Sequence, residues 1–416
     1  MLRRTILVAV ASLLAAAVAP ALGADAPSAN DTARFLAGLP PADDSPLAPL
    51  AKDRSWQQHA GIFNGAFERA EKSQLSRIRA WSSANITSAR PTVFYMFSGP
   101  DFLYANAFYP KAKTYVLAGL EPVGTVPDLT TLRGAVPAEL AKLRASLTTI
   151  LSASFFITKH MKSDLRAVRV NGTLPILYVF LVRSGYSIRD VTPVKLDSEG
   201  KVEPDSGRGS PAPGIKIEFA ASDGEPRTLY YFSTNLANDG VKNSGFLKFL
   251  QTLAPGDSFV KSASYLLHSG NFSTVRDFLI EHSAVMVQDD SGIPLRYYDR
   301  NKWEFHPFGH YVAPLGIFPG TFQREYAELF RKARPIDFGI GYRHRPGETN
   351  LLLLVRKSHD AGAEGSSPSP ADAASTSSTA AAPAPPTRPR PPSQRRNSGG
   401  WGEFFDGLRR PPPRPR

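Results

Sequence analysis

The chain of 416 residues contains no cysteine. Disulfides, thiolate metal centres, cysteine-held iron–sulfur clusters and cysteine nucleophiles are all excluded by that one absence. Other chemical signatures are missing too. There is no Gly-x-Ser-x-Gly nucleophile elbow, no Gly-x-x-x-x-Gly-Lys phosphate loop and no His-Glu-x-x-His zinc motif. No internal repeat is present. Beyond the first residues no run is apolar enough to cross a bilayer, which takes about 20 residues. The most hydrophobic later run, Leu174 to Val182, contains Pro175 and stops at Arg183. The sequence therefore implies no cofactor, no metal centre and no transmembrane segment in the mature chain.

What is present begins with an address. Met1-Leu2-Arg3-Arg4 precedes an apolar run from Ile6 to Val18, interrupted only by Ser12. Charge, a short hydrophobic stretch and small residues make the pattern of a secretory signal. Ala21-Leu22-Gly23 places cleavage near Gly23 or Ala24, and an uncleaved membrane anchor is the alternative. The expected location is the periplasm or the exterior. The formal net charge is +12. From Arg388 onward eight arginines face only Glu403 and Asp406, so that stretch alone carries +6, half of the excess. With a mildly basic body, no nucleic-acid partner is expected.

Four regions follow: a signal (1–23), an N-terminal arm and helical cap (24–90), a mixed α/β body (91–357) and a disordered Pro/Ala/Ser/Arg-rich tail (358–416). In the cap, Trp56, Ile62, Phe63, Phe67, Leu75, Ile78 and Trp81 recur near helical spacing. Gly61 and Gly65 are expected to split or bend that helix. Thr92 to Phe97, Phe102 to Tyr109 and Thr114 to Ala118 read as a βαβ unit, a Rossmann-like start. Helices follow over Leu129 to Lys162. Strands are expected at Leu174 to Val182, Ile188 to Leu196, Ile215 to Ala220, Thr228 to Phe232, Phe259 to Leu267 and Ala284 to Val287. Pro294 to Tyr298 and Trp303 to His306 read as further strands. Helices are expected near Gly245 to Leu253, Ser273 to His282 and Thr321 to Ala333. Asp205 to Gly214 reads as a loop, and Ile336 to Tyr342 with Asn350 to Val355 as a closing antiparallel hairpin. The expected fold is thus α/β with a mixed sheet. In the tail, Trp401, Phe404, Phe405 and Leu408 fall at i, i+3, i+4 and i+7. One apolar stripe on a helix would result, suited to docking in a partner's groove. An envelope protein or an anionic polymer is the expected partner.

Three stretches occur together: Phe97-Ser98-Gly99-Pro100-Asp101-Phe102-Leu103-Tyr104-Ala105, Gly119-Leu120-Glu121-Pro122-Val123-Gly124, and Asp289-Asp290-Ser291-Gly292-Ile293-Pro294-Leu295-Arg296-Tyr297. In them the chain resembles a group of exported bacterial proteins to which no activity is attached. The βαβ unit by itself resembles the opening of a Rossmann-type methyltransferase. That resemblance implies a glycine turn approaching a cofactor at Gly99 and an acidic residue on its ribose at Glu121. The turn here holds one glycine followed by proline, where that family repeats glycine.

The ligand-binding candidates are Ser98, Gly99, Asp101, Tyr104 and Glu121, with Asn106 beside them, gathered where α/β sheets take ligands. Asp101 also suits a helix cap. Asp289-Asp290-Ser291-Gly292 reads either as oxygen ligands for a hard cation or as a turn with solvated aspartates. His306 and His310 stand four apart, but Pro307 and Gly309 oppose a helix there. Tyr297, Tyr298, Trp303, Phe305, Phe308 and Tyr311 crowd beside Arg296, Arg300 and Lys302, as core packing or as a stacking surface. Two functions follow: a non-catalytic ligand- or partner-binding envelope protein, or an enzyme (transferase or hydrolase) using an acidic pocket after the first two strands.

Overall fold

The structure, a computed structural model, describes residues 26–155, 169–205, 210 and 212–357. The expected signal and the tail, with Trp401, Phe404, Phe405 and Leu408, lie outside the described residues, as do parts of the expected helix to Lys162 and of the loop Asp205 to Gly214.

The described residues build one ten-stranded sheet. Its strands are β1 (Thr92–Tyr95), β2 (Thr114–Gly119), β3 (Ser187–Leu196), β4 (Val202–Pro204), β5 (Pro213–Ala220), β6 (Pro226–Ser233), β7 (Gly256–Val260), β8 (Ser283–Gln288), β9 (Trp303–Gly309) and β10 (Asn350–Arg356). They lie in the order β4-β3-β5-β6-β2-β1-β7-β8-β10-β9. The central five, β6-β2-β1-β7-β8, are parallel. Both flanks are antiparallel. Along the chain the central strands come third, second, first, fourth and fifth, so the order reverses between β1 and β7. The carboxyl ends beside such a reversal are where open α/β sheets take ligands.

Helices cover both faces. The first face carries α1 (Ala29–Leu36), α2 (Arg54–Ala70), α3 (Ser76–Asn85), α4 (Phe102–Phe108), α5 (Val136–Ala153) and α6 (Leu174–Arg183). The second carries α7 (Asn238–Asn243), α8 (Phe246–Leu253), α9 (Ser273–His282) and α10 (Arg324–Phe330). Strand side chains alternate between the two layers. Tyr95, Leu117, Phe259 and Val287 enter the first core, and Phe94, Val116, Val260 and Met286 the second. Covered on both sides, β1 and β7 are buried throughout, as parallel strands in α/β proteins are.

Several expectations change. Leu174 to Val182 is the helix α6, not a strand. It is apolar all round and wholly buried, so it lacks the one-sided pattern that marks a surface helix. Pro175 sits in its first turn, where proline loses no hydrogen bond. Gly61 and Gly65 do not break the cap. Helix runs from Arg54 to Asn85, with a π-helical turn at Glu71–Leu75. The strand expected over Phe259 to Leu267 ends at Val260, and Leu295–Tyr297 is a 3-10 turn. Ile336 to Tyr342 forms no strand. β10 pairs instead with β8 and β9, both antiparallel, and the 336–349 segment is freed to cross the carboxyl edge. The βαβ unit over β1, α4 and β2 is parallel, with Thr92 opposite Thr114.

Candidate functional site

The site forms where β1, β7 and β8 end. β1 leads into a turn whose Asp101 caps α4, accepting the Tyr104 N–H at 3.2 Å. β7 leads into Lys261. The Lys261 ammonium lies 2.7 Å from the Asp101 carboxylate, and both side chains are only 2 % exposed. Tyr95 donates its hydroxyl to the same carboxylate oxygen at 2.8 Å. Lys261 also donates to the Ser154 carbonyl and lies 4.0 Å from the Tyr104 ring centroid, a cation–π contact. Burial raises the Asp101 pKa and lowers that of Lys261, and their attraction opposes both shifts. The π-helical turn aims Gln74 at this group. Gln74 accepts the Tyr104 hydroxyl and donates to the Gly339 carbonyl.

β8 supplies a second set. Asp289 accepts the Ser262 N–H at 2.9 Å on one oxygen, and the Ser291 N–H (3.0 Å) and hydroxyl on the other. Asp290 accepts from the Tyr265 hydroxyl at 2.6 Å and from the Asn350 amide at 3.0 Å. The expected solvated turn is thus corrected: both aspartates are buried. Burial, then the neighbouring Asp290 charge, pushes Asp289 up to about 7. Burial also raises Asp290. Gly341, with φ +72°, backs the turn, and a Cβ there would lie 2.2 Å from an Asp289 oxygen.

The backbone around these groups is strained. Among the described residues the non-glycine positions with left-handed backbone are Phe97, Ser154, Ser262, Ser264 and Tyr265. Each follows β1 or β7 or supplies a partner of Lys261, and each costs roughly 1–2 kcal/mol. Strain of this kind persists where surrounding structure enforces it, often at functional sites. The hydroxyls of Ser154 and Ser262 are buried without a hydrogen-bond partner. Aromatic rings cover the group. Tyr265 lies 4.8 Å from Phe318, Phe318 5.2 Å from Tyr342, and Tyr342 5.3 Å from Phe155.

No protein-family model, curated protein or solved structure matches this chain.

The five sequence candidates divide into two neighbouring groups. Asp101 and Tyr104 join Lys261. Ser98, Gly99 and Glu121 gather over the end of β2, where Ser98 N–H donates to the Ala118 carbonyl at 3.0 Å. A Cβ on Gly119 would stand 2.3 Å from a Glu121 carboxylate oxygen and 3.2 Å from the Gly99 Cα, so the two turns approach closely here. The Glu121 carbonyl accepts the Tyr231 hydroxyl at 2.7 Å. Asn106 belongs to the core instead, accepting from Tyr115 and Tyr186. His306 lies on β9, with Nε2 3.5 Å from Glu304. Among the described residues no group of three or more His, Asp or Glu could hold a metal ion. Trp303, Tyr298 and Phe308 are buried packing, which settles the core half of that aromatic cluster. The sequence reading missed Lys261, Tyr95, Tyr265 and the strained Ser262–Tyr265 segment. Lys261, Ser262, Ser264 and Tyr265, coming just after Phe259-Val260, were the available signal.

The same edge bears the apolar surface. The large hydrophobic side chains left exposed among the described residues are Ile62, Leu120, Val312 and Phe322. Leu120 follows β2, at 61 % exposure; Val312 and Phe322, at 52 % and 57 %, ride the 310–323 loop that leaves β9. Both loops emerge at the carboxyl edge of the parallel strands. Among the described residues no helix is long and apolar enough to cross a membrane.

Proposed function

We propose that the protein is an exported, non-catalytic binding protein of the bacterial envelope whose binding face is the carboxyl edge of its parallel strands. One observation carries this reading. The Lys261 and Asp101 side chains at that edge are buried and paired with each other, and Asp289 is held by Ser262 and Ser291, while among the described residues three of the four exposed large hydrophobics stand on the same edge. β2 and β9 are five strand spacings apart, about 24 Å at the usual spacing. A face of that width suits an extended apolar partner, such as a segment of another envelope protein, better than a compact metabolite. The strand order supports the likeness of the opening unit to Rossmann-type methyltransferases at the level of topology. Lys261 and Asp101, however, occupy the reversal point with their own side chains.

The test is native mass spectrometry of protein purified from the periplasm, beside in-cell crosslinking. A bound partner is expected. Leu120→Asp and Phe322→Asp should each weaken its capture by tenfold or more. If the mature chain stays in the cytosol with residues 1–23 attached, or if both variants capture the same partners as the parent, the reading fails.

The second reading, an enzyme, draws on the two unpartnered serine hydroxyls beside Lys261 and on Asp289 held near neutrality. A retained substrate-sized mass that disappears in Lys261→Met but not in Phe322→Asp would favour it over the first.

A further inference from the structure

Segment 261–265 leaves β7 at the reversal point and is pinned to one turn through three of its residues. Ser262 N–H donates to Asp289, Ala263 N–H to the Ser291 hydroxyl oxygen at 2.8 Å, and the Tyr265 hydroxyl to Asp290. Three of its five residues, Ser262, Ser264 and Tyr265, hold φ near +50° without being glycine. That conformation is uncommon for side-chain-bearing residues and relaxes unless it is held. The same turn reaches the loop with Val312 and Phe322. Gln323 donates its amide to the Asp290 carbonyl at 3.2 Å, and Phe318 packs on the Tyr265 ring. One three-residue turn therefore holds both the strained segment and the apolar loop.

We propose that Asp289-Asp290-Ser291 is a proton-linked latch, closed on acidification and loosened as pH rises, that sets the position of the 310–323 loop. The purpose assigned to that loop rests on the binding face proposed above; the latch does not.

The direction follows from linkage. In the closed form Asp289 is buried against a second carboxylate and keeps its proton up to about pH 7. Freed into water it ionises near the ordinary value of about 4. Opening therefore releases a proton, and higher pH favours the open form until both forms are ionised. When Asp289 is protonated, the Ser291 hydroxyl oxygen can accept its proton by rotating, and the Ala263 N–H bond survives.

The other titratable and charged groups facing the turn come from every neighbouring element. Lys261 follows β7 and is paired with Asp101 of the α4 cap. Tyr95, Tyr265, Tyr311, Tyr326 and Tyr342 all have raised pKa values and stay protonated over this range. Burial lowers His268 to about 4, so it stays neutral above that. Arg343 faces Asp290, and its charge opposes the rise of that carboxyl. Two further carboxyls are raised by burial: Asp101, which is paired with Lys261, and Asp257, which stands near the start of β7 and accepts the Val285 N–H.

Amide hydrogen exchange of the full chain between pH 5.5 and 8, corrected for intrinsic rates, tests this. Peptides covering 261–265 and 310–323 should lose protection together, about tenfold from pH 5.5 to 6.5, and level off above pH 7. Asp289→Asn, which removes the Asp289 proton and leaves that of Asp290, should give a clearly shallower profile than the parent. Ser291→Ala, which loses the Ala263 bond, should lower protection at every pH and keep the slope. Flat wild-type protection, or an Asp289→Asn slope equal to the parent's, overturns the latch. A slope lost in Ser291→Ala and kept in Asp289→Asn overturns it as well. No partner enters this experiment, so its failure leaves the binding face to the crosslinking result.

Discussion

Lys261 is the residue on which the site depends, and the sequence did not mark it. It stands in no motif, and its partner Asp101 lies in another βα turn. Only the parallel pairing of β1 with β7 brings the two together. An isolated buried charge is far less stable than a paired one, so removing either partner should be costly. Lys261→Met should lose about 3–5 kcal/mol, the usual cost of stranding a buried charge. Adding Asp101→Asn should recover a large part, because the amide still caps α4 and carries no charge. Urea midpoints at constant slope give the coupling. A coupling near zero would mean that the pair contributes nothing and that Asp101 serves only as a cap. Asp101 itself was legible, since an acidic residue before a short apolar helix is a capping pattern. Asp289 and Asp290 were visible but misjudged. Adjacent carboxylates in a Gly-containing turn are ordinarily solvated, and only tertiary contact with Ser262, Tyr265 and Asn350 buries them.

At the level of elements, the readable parts were those with one-sided periodicity. The cap helix, α9 and the strands β3, β5 and β6 were readable in this way. α6 was illegible because burial on every side erases the period that separates helix from strand. The 336–349 segment was illegible for another reason. It has strand-like composition, yet the β10 edge it would pair with is already taken by β9. Its role is to bring Gly339, Gly341 and Tyr342 over the site, and Tyr342 donates to the Ser262 carbonyl at 2.9 Å. Gly341→Ala probes this element. The new methyl group would meet the Asp289 carboxylate at a backbone angle that disfavours any side chain. We expect a loss of about 2–4 kcal/mol and weaker exchange protection at Ser262. An unchanged melting temperature would show that the segment does not bear on Asp289. Gly119→Ala should cost less, because its nearest contact is the movable end of Glu121.

Across the whole molecule the buried groups oppose one another in acid. His59 accepts from Arg144 at Nδ1, faces the Leu36 carbonyl through Nε2, and is lowered by burial to about 4. His268 is lowered to about 4 as well. Between pH 4 and 6.5 the unfolded chain binds protons at these two sites and the folded chain does not, so both make stability rise with pH. Burial raises Asp257 to about 6 and Asp289 to about 7. At these two sites the folded chain holds the extra protons, so both make stability fall as pH rises above about 4. Each group contributes a slope of about 1.4 kcal/mol per pH unit inside its window. Taken by themselves, these two slopes of each sign nearly cancel between pH 4 and 6. His59→Gln removes one rising slope. Its cost relative to the parent should shrink by about 2–3 kcal/mol from pH 7.5 to 4.5. Asp257→Asn should behave oppositely, its relative cost growing as the pH falls. Were both variants to track the parent in parallel, the titrating groups would lie elsewhere, and the latch would lose the balance that allows Asp289 to change charge while the fold stays intact.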